Sequence, residues 1–135
     1  MTFYLDLENN PTGTAQQTGQ MVRGGKIHHF VKKNVRNQKA IYEKKILEAL
    51  DDEPPHFTGP VAVKIHFYYA IKQKKLWGQW KTSRPDVDNS VKSLLDVMTH
   101  LDFWEDDSLI CRLDISKTYS EHPGIHIEVW RLIQP

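Results

Sequence analysis

Asp86 and Asp88 stand one residue apart in the stretch Arg84-Pro-Asp-Val-Asp-Asn-Ser-Val-Lys-Ser-Leu-Leu-Asp96, and Asp107 follows in the run Phe103-Trp-Glu-Asp-Asp-Ser108. Carboxylates gathered in space repel one another unless a cation lies among them. A hard divalent ion such as Mg²⁺ takes oxygen ligands, keeps several waters and leaves positions for phosphate oxygens. Held in that way, it activates water and stabilises the charge that develops on a phosphodiester. Lys92 follows Asp88 by four residues, so on a helix both share one face and an ammonium stands beside the metal. The chemistry these residue types suit is metal-assisted hydrolysis of a phosphodiester backbone.

Simpler roles account for only part of this pattern. Asp86 or Asp88 could cap a helix, where a carboxylate accepts backbone N–H bonds and suits the dipole. One Asp does that work, and capping leaves Asp106 and Asp107 unexplained. Asp86-Val-Asp-Asn-Ser90 begins like a calcium loop, but Val91 stands where glycine is required and Val97 where the bidentate Glu belongs. One cysteine and scattered histidines do not make a zinc site. No Gly-x-Ser-x-Gly or glycine-rich phosphate loop points to a serine nucleophile or to ATP.

The elements that must carry these residues follow from periodicity. Val87, Val91, Leu94, Leu95 and Met98 recur at helical spacing, predicting a helix over 87–99 with Asp88, Lys92 and Asp96 as its polar stripe. Asp96 there suits a salt bridge with Lys92 or a dimer contact. Val61 to Ile71 alternates over a long run and predicts a central strand. Phe3–Leu7, 109–117 and 125–132 alternate as further strands. Residues 8–26 lack a period and are expected to form a long polar loop. Residues 29–50 are expected to form a basic amphipathic helix with Val35, Ile41, Ile46, Leu47 and Leu50 inward. The order predicts one α+β domain over 1–135, a mixed sheet with two main helices against one face.

The net charge of +1 conceals a division. Residues 21–45 hold eight Lys or Arg against one acid, residues 72–84 hold five with no acid, and residues 86–107 hold seven acids against one Lys. Cationic arms around an acidic centre suit a metal site flanked by phosphate-binding surface. Arg23, Lys26, Lys32, Lys33, Lys74, Lys75 and Arg84 are the candidate DNA contacts. Trp77 and Trp80, among the basic residues of 72–84, could stack on exposed bases or pack the loop onto the domain, and the sequence leaves both open. The single cysteine, Cys111, fits a reducing compartment and is expected at a buried strand position. No apolar run approaches the length of a membrane span, and the N-terminus has no signal-like stretch, so no membrane partner is expected.

The combination Asp86-Val-Asp88-Asn89, Lys92, Leu95-Asp96, then Phe103-Trp104 before Asp106-Asp107, resembles the signature of RusA-type Holliday junction resolvases. The resemblance is densest over 84–110 and extends loosely along the chain. It implies a Mg²⁺-dependent homodimeric endonuclease, with Mn²⁺ as an alternative ion, that nicks four-way junction DNA during recombination and repair. It also implies Asp86, Asp88 and Asp107, rather than Asp106, as metal ligands, Lys92 as a residue required for cleavage, and action in the cytoplasm of a bacterium or its prophage. The competing readings are a DNA-binding module without catalysis, its acids balancing basic arms, and a nuclease of broader taste for flaps or forks.

Overall fold

The computed structural model describes residues 1–12, 18–23, 26–31 and 33–135, with side chains for 1–12 and 36–135. Its elements are β1 (Thr2–Asp6), β2 (Thr18–Arg23), β3 (Lys26–Val31), α1 (Lys33–Ala49), β4 (Val61–Ala70), α2 (Val87–His100), β5 (Ile110–Ser120) and β6 (Gly124–Arg131). Four strands form a mixed sheet in the order β1-β6-β4-β5, in which β4 pairs parallel with β5 and antiparallel with β6. The α+β class and the mixed sheet are as the periodicity predicts. No described helix is long and apolar enough to cross a membrane.

Strand alternation explains the layering. Val61, Val63, Ile65, Phe67 and Tyr69 of β4 point to one face and are buried, alongside Phe3 and Leu5 of β1 and Ile125, Ile127 and Val129 of β6. Both helices cover that face. α2 contributes Val91, Leu94, Val97 and Met98, and α1 contributes Tyr42 and Ile46. Phe103 and Trp104 close the core where the chain leaves α2, and the Trp104 indole N–H donates to the Thr99 hydroxyl at 2.8 Å. Burying side chains of this size stabilises the fold by about 1.5–3 kcal/mol each before chain entropy is counted. The rest of the fold hangs on this layer.

Four expectations need correction. The stretch 8–26 is not all loop, because Thr18–Arg23 pairs antiparallel with Lys26–Val31, from Thr18↔Val31 to Arg23↔Lys26. That pairing takes His29 to Val31 away from the basic helix, which begins at Lys33. On α1, Ile41 and Leu47 are 46% and 54% exposed; among its described side chains Gln38, Tyr42 and Ile46 are the ones turned fully inward, and the Val35 side chain lies outside the described residues. Cys111 is exposed rather than buried. β5 is an edge strand, and its register against β4 shifts at this residue (Val61↔Ile110, then Ala62↔Arg112), so the alternation that suggested burial breaks there.

Candidate metal and nucleic-acid site

Asp86 is the N-cap residue of α2, with extended backbone angles, yet its side chain makes no capping hydrogen bond. Ser90 holds the turn instead, its N–H and its hydroxyl both donating to the Asp86 carbonyl at 2.9 Å. The Asp86 carboxylate is therefore exposed and open to another ligand. Asp88 sits exposed in the first turn of the same helix, and Lys92 lies one turn further along. Among the described residues no ion pair joins Lys92 to a carboxylate. Asp96 does not pair with Lys92 either: it binds Lys39 of α1 at 3.1 Å, tying the two helices together.

The Asp106-Asp107 pair divides its work. The Asp106 carboxylate accepts the Ser108 N–H at 3.0 Å and caps a short 3₁₀ turn over Asp107–Leu109. Hydrogen bonding from Ser108, its side chain first and then its backbone N–H, lowers the Asp106 carboxyl from the usual carboxylate value. Asp107 is exposed and makes no side-chain hydrogen bond to another described residue. Of the two, Asp107 is the carboxylate open to a ligand.

These acids do not converge within one chain. Asp86 lies beside the far end of β4 and β5, where Tyr69 meets Ser90 and Lys117 meets Pro85. Asp107 lies just before Ile110, which pairs with Val61 at the opposite end of both strands. The eight residues from Ile110 to Lys117 rise about 20 Å along a strand, and α2 spans a similar length. Accordingly, among the described residues no three His, Cys, Asp or Glu side chains form a group able to hold a metal ion. Asp86 and Asp88 are together; Asp107 stands apart.

The surroundings of Asp86 include residues that the sequence pattern did not single out. Lys117, on β5, donates from its ammonium to the carbonyls of Ser83 and Pro85, each at 2.7 Å. Lys81 donates to the Ser83 hydroxyl at 2.6 Å and lies 5.1 and 5.2 Å above the rings of Tyr69 and Tyr119. Tyr69 is buried, which raises its phenol above the ordinary value, and its hydroxyl meets Ser90 at 3.2 Å. Two lysines and two tyrosines thus fix the strand of chain that delivers Asp86. No spacing rule reveals Lys117, because it acts on carbonyls 32 and 34 residues earlier.

The endodeoxyribonuclease RusA family model matches residues 8–130. A crossover junction endodeoxyribonuclease of Lactococcus phage r1t is 38% identical over 127 residues, covering 94% of this chain and 95% of that protein. The chain belongs to the RusA family. An uncharacterised protein of Bacillus subtilis, YqaN, is 31% identical over 120 residues, covering 80% of this chain and 82% of its own. The match spans both the acidic segment and the basic arms of this RusA-family chain.

Those arms are placed unevenly. Lys74, Lys75 and Arg84 are exposed on the connection between β4 and α2, with Lys74 and Lys75 in a 3₁₀ turn. Trp77 packs that connection onto the fold, its indole N–H donating to the Ile71 carbonyl at 2.9 Å, whereas Trp80 is 71% exposed. Trp77 thus takes the packing role, and Trp80 is left open at the surface. Arg23 and Lys26 face each other across the β2–β3 pair, and Lys33 begins α1. Their side chains, and Lys32 altogether, lie outside the described residues.

Proposed function

We propose that this RusA-family chain is a divalent-metal-dependent endonuclease that resolves four-way DNA junctions by paired nicks, with residues 1–135 acting as one nuclease domain. The observation that carries the reading is the state of the carboxylates. Asp86 caps α2 without using its side chain, and Asp107 is left open while its neighbour Asp106 makes the turn. All the donors are carboxylate oxygens, the ligand set that Mg²⁺ or Mn²⁺ takes. A bound ion of this kind supplies an activated water and neutralises charge on the scissile phosphate.

The protein's own residues do the rest. Asp86 and Asp88 would hold the ion; Lys92, on the same helical face, would donate to a non-bridging phosphate oxygen as charge accumulates there. Lys117 and Lys81 keep the segment before Asp86 in place. Lys74, Lys75 and Arg84 bind the flanking backbone, with Arg23, Lys26, Lys32 and Lys33 as the second arm. Asp107 completes the ligand set from a second copy of the chain, since its own Asp86 is about 20 Å away by strand rise. A two-fold homodimer also matches the two nicks that a four-way junction requires. The name of the phage relative favours action on DNA, and the two organisms, a Lactococcus phage and Bacillus subtilis, favour a bacterial cytoplasm.

The test compares four-way, three-way and linear duplexes at one ionic strength, with Mg²⁺ and with EDTA. Paired, ion-dependent nicks confined to the four-way substrate support the reading. Equal cutting of three-way and linear DNA would assign a broader nuclease, and binding without nicks a DNA-binding module.

A further inference from the structure

We infer that the cavity between residues 7–12 and α1 receives one unstacked base of the DNA substrate, close to the cleaved phosphate, and that Asn9 and Asn37 read its edge. The inference rests on the endonuclease reading above and adds to it a site that makes cutting depend on base sequence.

The cavity encloses about 210 Å³. A cavity of roughly 150 Å³ takes a benzene ring, so this one has room for a single nucleobase with its exocyclic groups. Leu7, Pro11 and Ile41 give it an apolar floor. Ile41 is exposed although Tyr42 and Ile46 beside it are buried, and a flat ring seated here would cover it. The walls carry neutral polar groups. Asn9 and Asn37 line the cavity, are exposed, and make no side-chain hydrogen bond to another described residue. Each amide offers two N–H donors and a carbonyl acceptor, the complement of a base edge. Tyr42 lines the inner side, and its buried hydroxyl has no hydrogen-bond partner among the described residues. Burial raises the Tyr42 phenol and Tyr69 raises it further, so this hydroxyl stays neutral at physiological pH.

Charge chooses the ligand. Glu8 is the one ionisable carboxylate on the lining, and Lys45 holds it at 2.7 Å. No Lys or Arg lines the cavity to hold a phosphate, and no group of carboxylates to hold a metal. Neutral amides over an apolar floor suit an uncharged, flat, hydrogen-bonding ring. DNA supplies that ring as a base.

The frame around the cavity is fixed. Leu7 N–H donates to the Pro123 carbonyl at 3.2 Å. Asn10 exchanges two hydrogen bonds with the Ala70 backbone, at 3.1 and 2.7 Å. Gln38, buried on α1, accepts the Thr12 N–H and donates to the Thr12 carbonyl, each at 2.6 Å. Recognition of one base needs such a preorganised shell. The cavity also lies at the Asp86 end of the sheet. Ala70 ends β4 beside Tyr69, whose hydroxyl meets Ser90, and Ser90 donates to the Asp86 carbonyl. β4 and β5 are about 4.8 Å apart, so the Asn10 anchor on β4 is one strand from β5, where Lys117 holds Pro85. A base close to the phosphate at Asp86 enters by turning out of the stack, which is easiest where pairing is already disturbed, as at a branch point.

Nick mapping on four-way junctions that differ only in the bases around the branch point tests the cavity. With Mg²⁺, wild type should cut one core sequence about tenfold faster than the others, the discrimination expected of one well-placed amide–base pair. Asn9→Ala and Asn37→Ala, both at exposed positions, should each shrink that ratio, and Ile41→Trp, which fills the cavity, should abolish it. A second readout needs no cleavage: 2-aminopurine replaces single bases around the branch point, in EDTA. Its fluorescence, quenched in the stack, should rise at one position when wild type binds and stay low when Ile41→Trp binds the same junction. A wild type that nicks no junction with Mg²⁺ would overturn the endonuclease reading itself. Equal cutting of every core sequence by wild type, or variants that match wild type in preference and fluorescence, would overturn the base pocket alone.

Discussion

The Lys117 ammonium lies 2.7 Å from the carbonyl oxygen of Pro85, the residue that leads into Asp86. A side chain from the sheet thereby fixes the chain at the entrance to α2, where the Asp86 carboxylate is kept out of capping. Hydrogen bonds from a charged donor contribute about 1.5–3 kcal/mol when partly shielded from water. Lys117→Met should therefore lower nicking about tenfold and raise the Mg²⁺ concentration needed for half-maximal nicking, with Lys117→Arg recovering part of the loss. A metal titration of nicking checks this. Reduced thermal stability with an unchanged metal requirement would restrict Lys117 to holding the fold.

Lys92 makes no ion pair with another described residue and stands one turn from Asp88. Removing one preorganised donor to a developing charge typically costs ~10²–10³ in rate. Lys92→Ala should slow single-turnover nicking by that order while junction affinity changes little. A loss smaller than about threefold would make Lys92 a solvated helix residue.

The exposed pair Lys74 and Lys75 should contribute through counterion release. Replacing both by Ala should weaken junction binding and flatten log K against log salt by about one unit for each phosphate left without its lysine. The same holds for Lys32 with Lys33 if the second arm tracks the backbone. Unchanged slopes in a filter-binding series from about 50 to about 200 mM salt would mean that these lysines face away from DNA.

His66, on the sheet face opposite the helices, bonds through its two ring nitrogens to Ser116 and Thr118, the latter at 2.7 Å. Burial lowers its pKa from the ordinary 6.5, and His126 and Lys64 push the same way while Asp114 opposes them. A histidine whose folded pKa is depressed stabilises the fold above the unfolded value and loses that contribution as pH falls through the folded one. Thermal unfolding should therefore come at lower temperature as pH drops below about 6.5, and the fall should be steeper in wild type than in His66→Gln. Parallel curves for the two would remove His66 as a source of acid sensitivity.

How far the sequence could be read varied with what each segment packs against. β4 and α2 were legible because each buries one continuous face, so their apolar residues follow the period of the element. The β2–β3 pair was not, since it lies outside the four-stranded sheet and its two segments carry no clean apolar alternation in the sequence. Gly24-Gly25 between two six-residue strands was a turn signal that could have found it. Cys111 was misplaced because the register of β5 against β4 slips at that residue, so the alternation read along the chain does not carry it into the core. The identity of the candidate carboxylates was legible from spacing, but their separation was not: spacing along the chain does not say at which end of a strand a residue falls.

The most direct test sets wild type beside Asp88→Asn on a synthetic four-way junction, measuring nicking and binding in Mg²⁺ and in EDTA. Wild type should make paired nicks only with the ion. Asp88→Asn should make none in either, while binding the junction as tightly or more tightly, because the change removes a ligand and also a charge that repels phosphate. Nicking by Asp88→Asn at the wild-type rate, or by wild type in EDTA, would contradict the account.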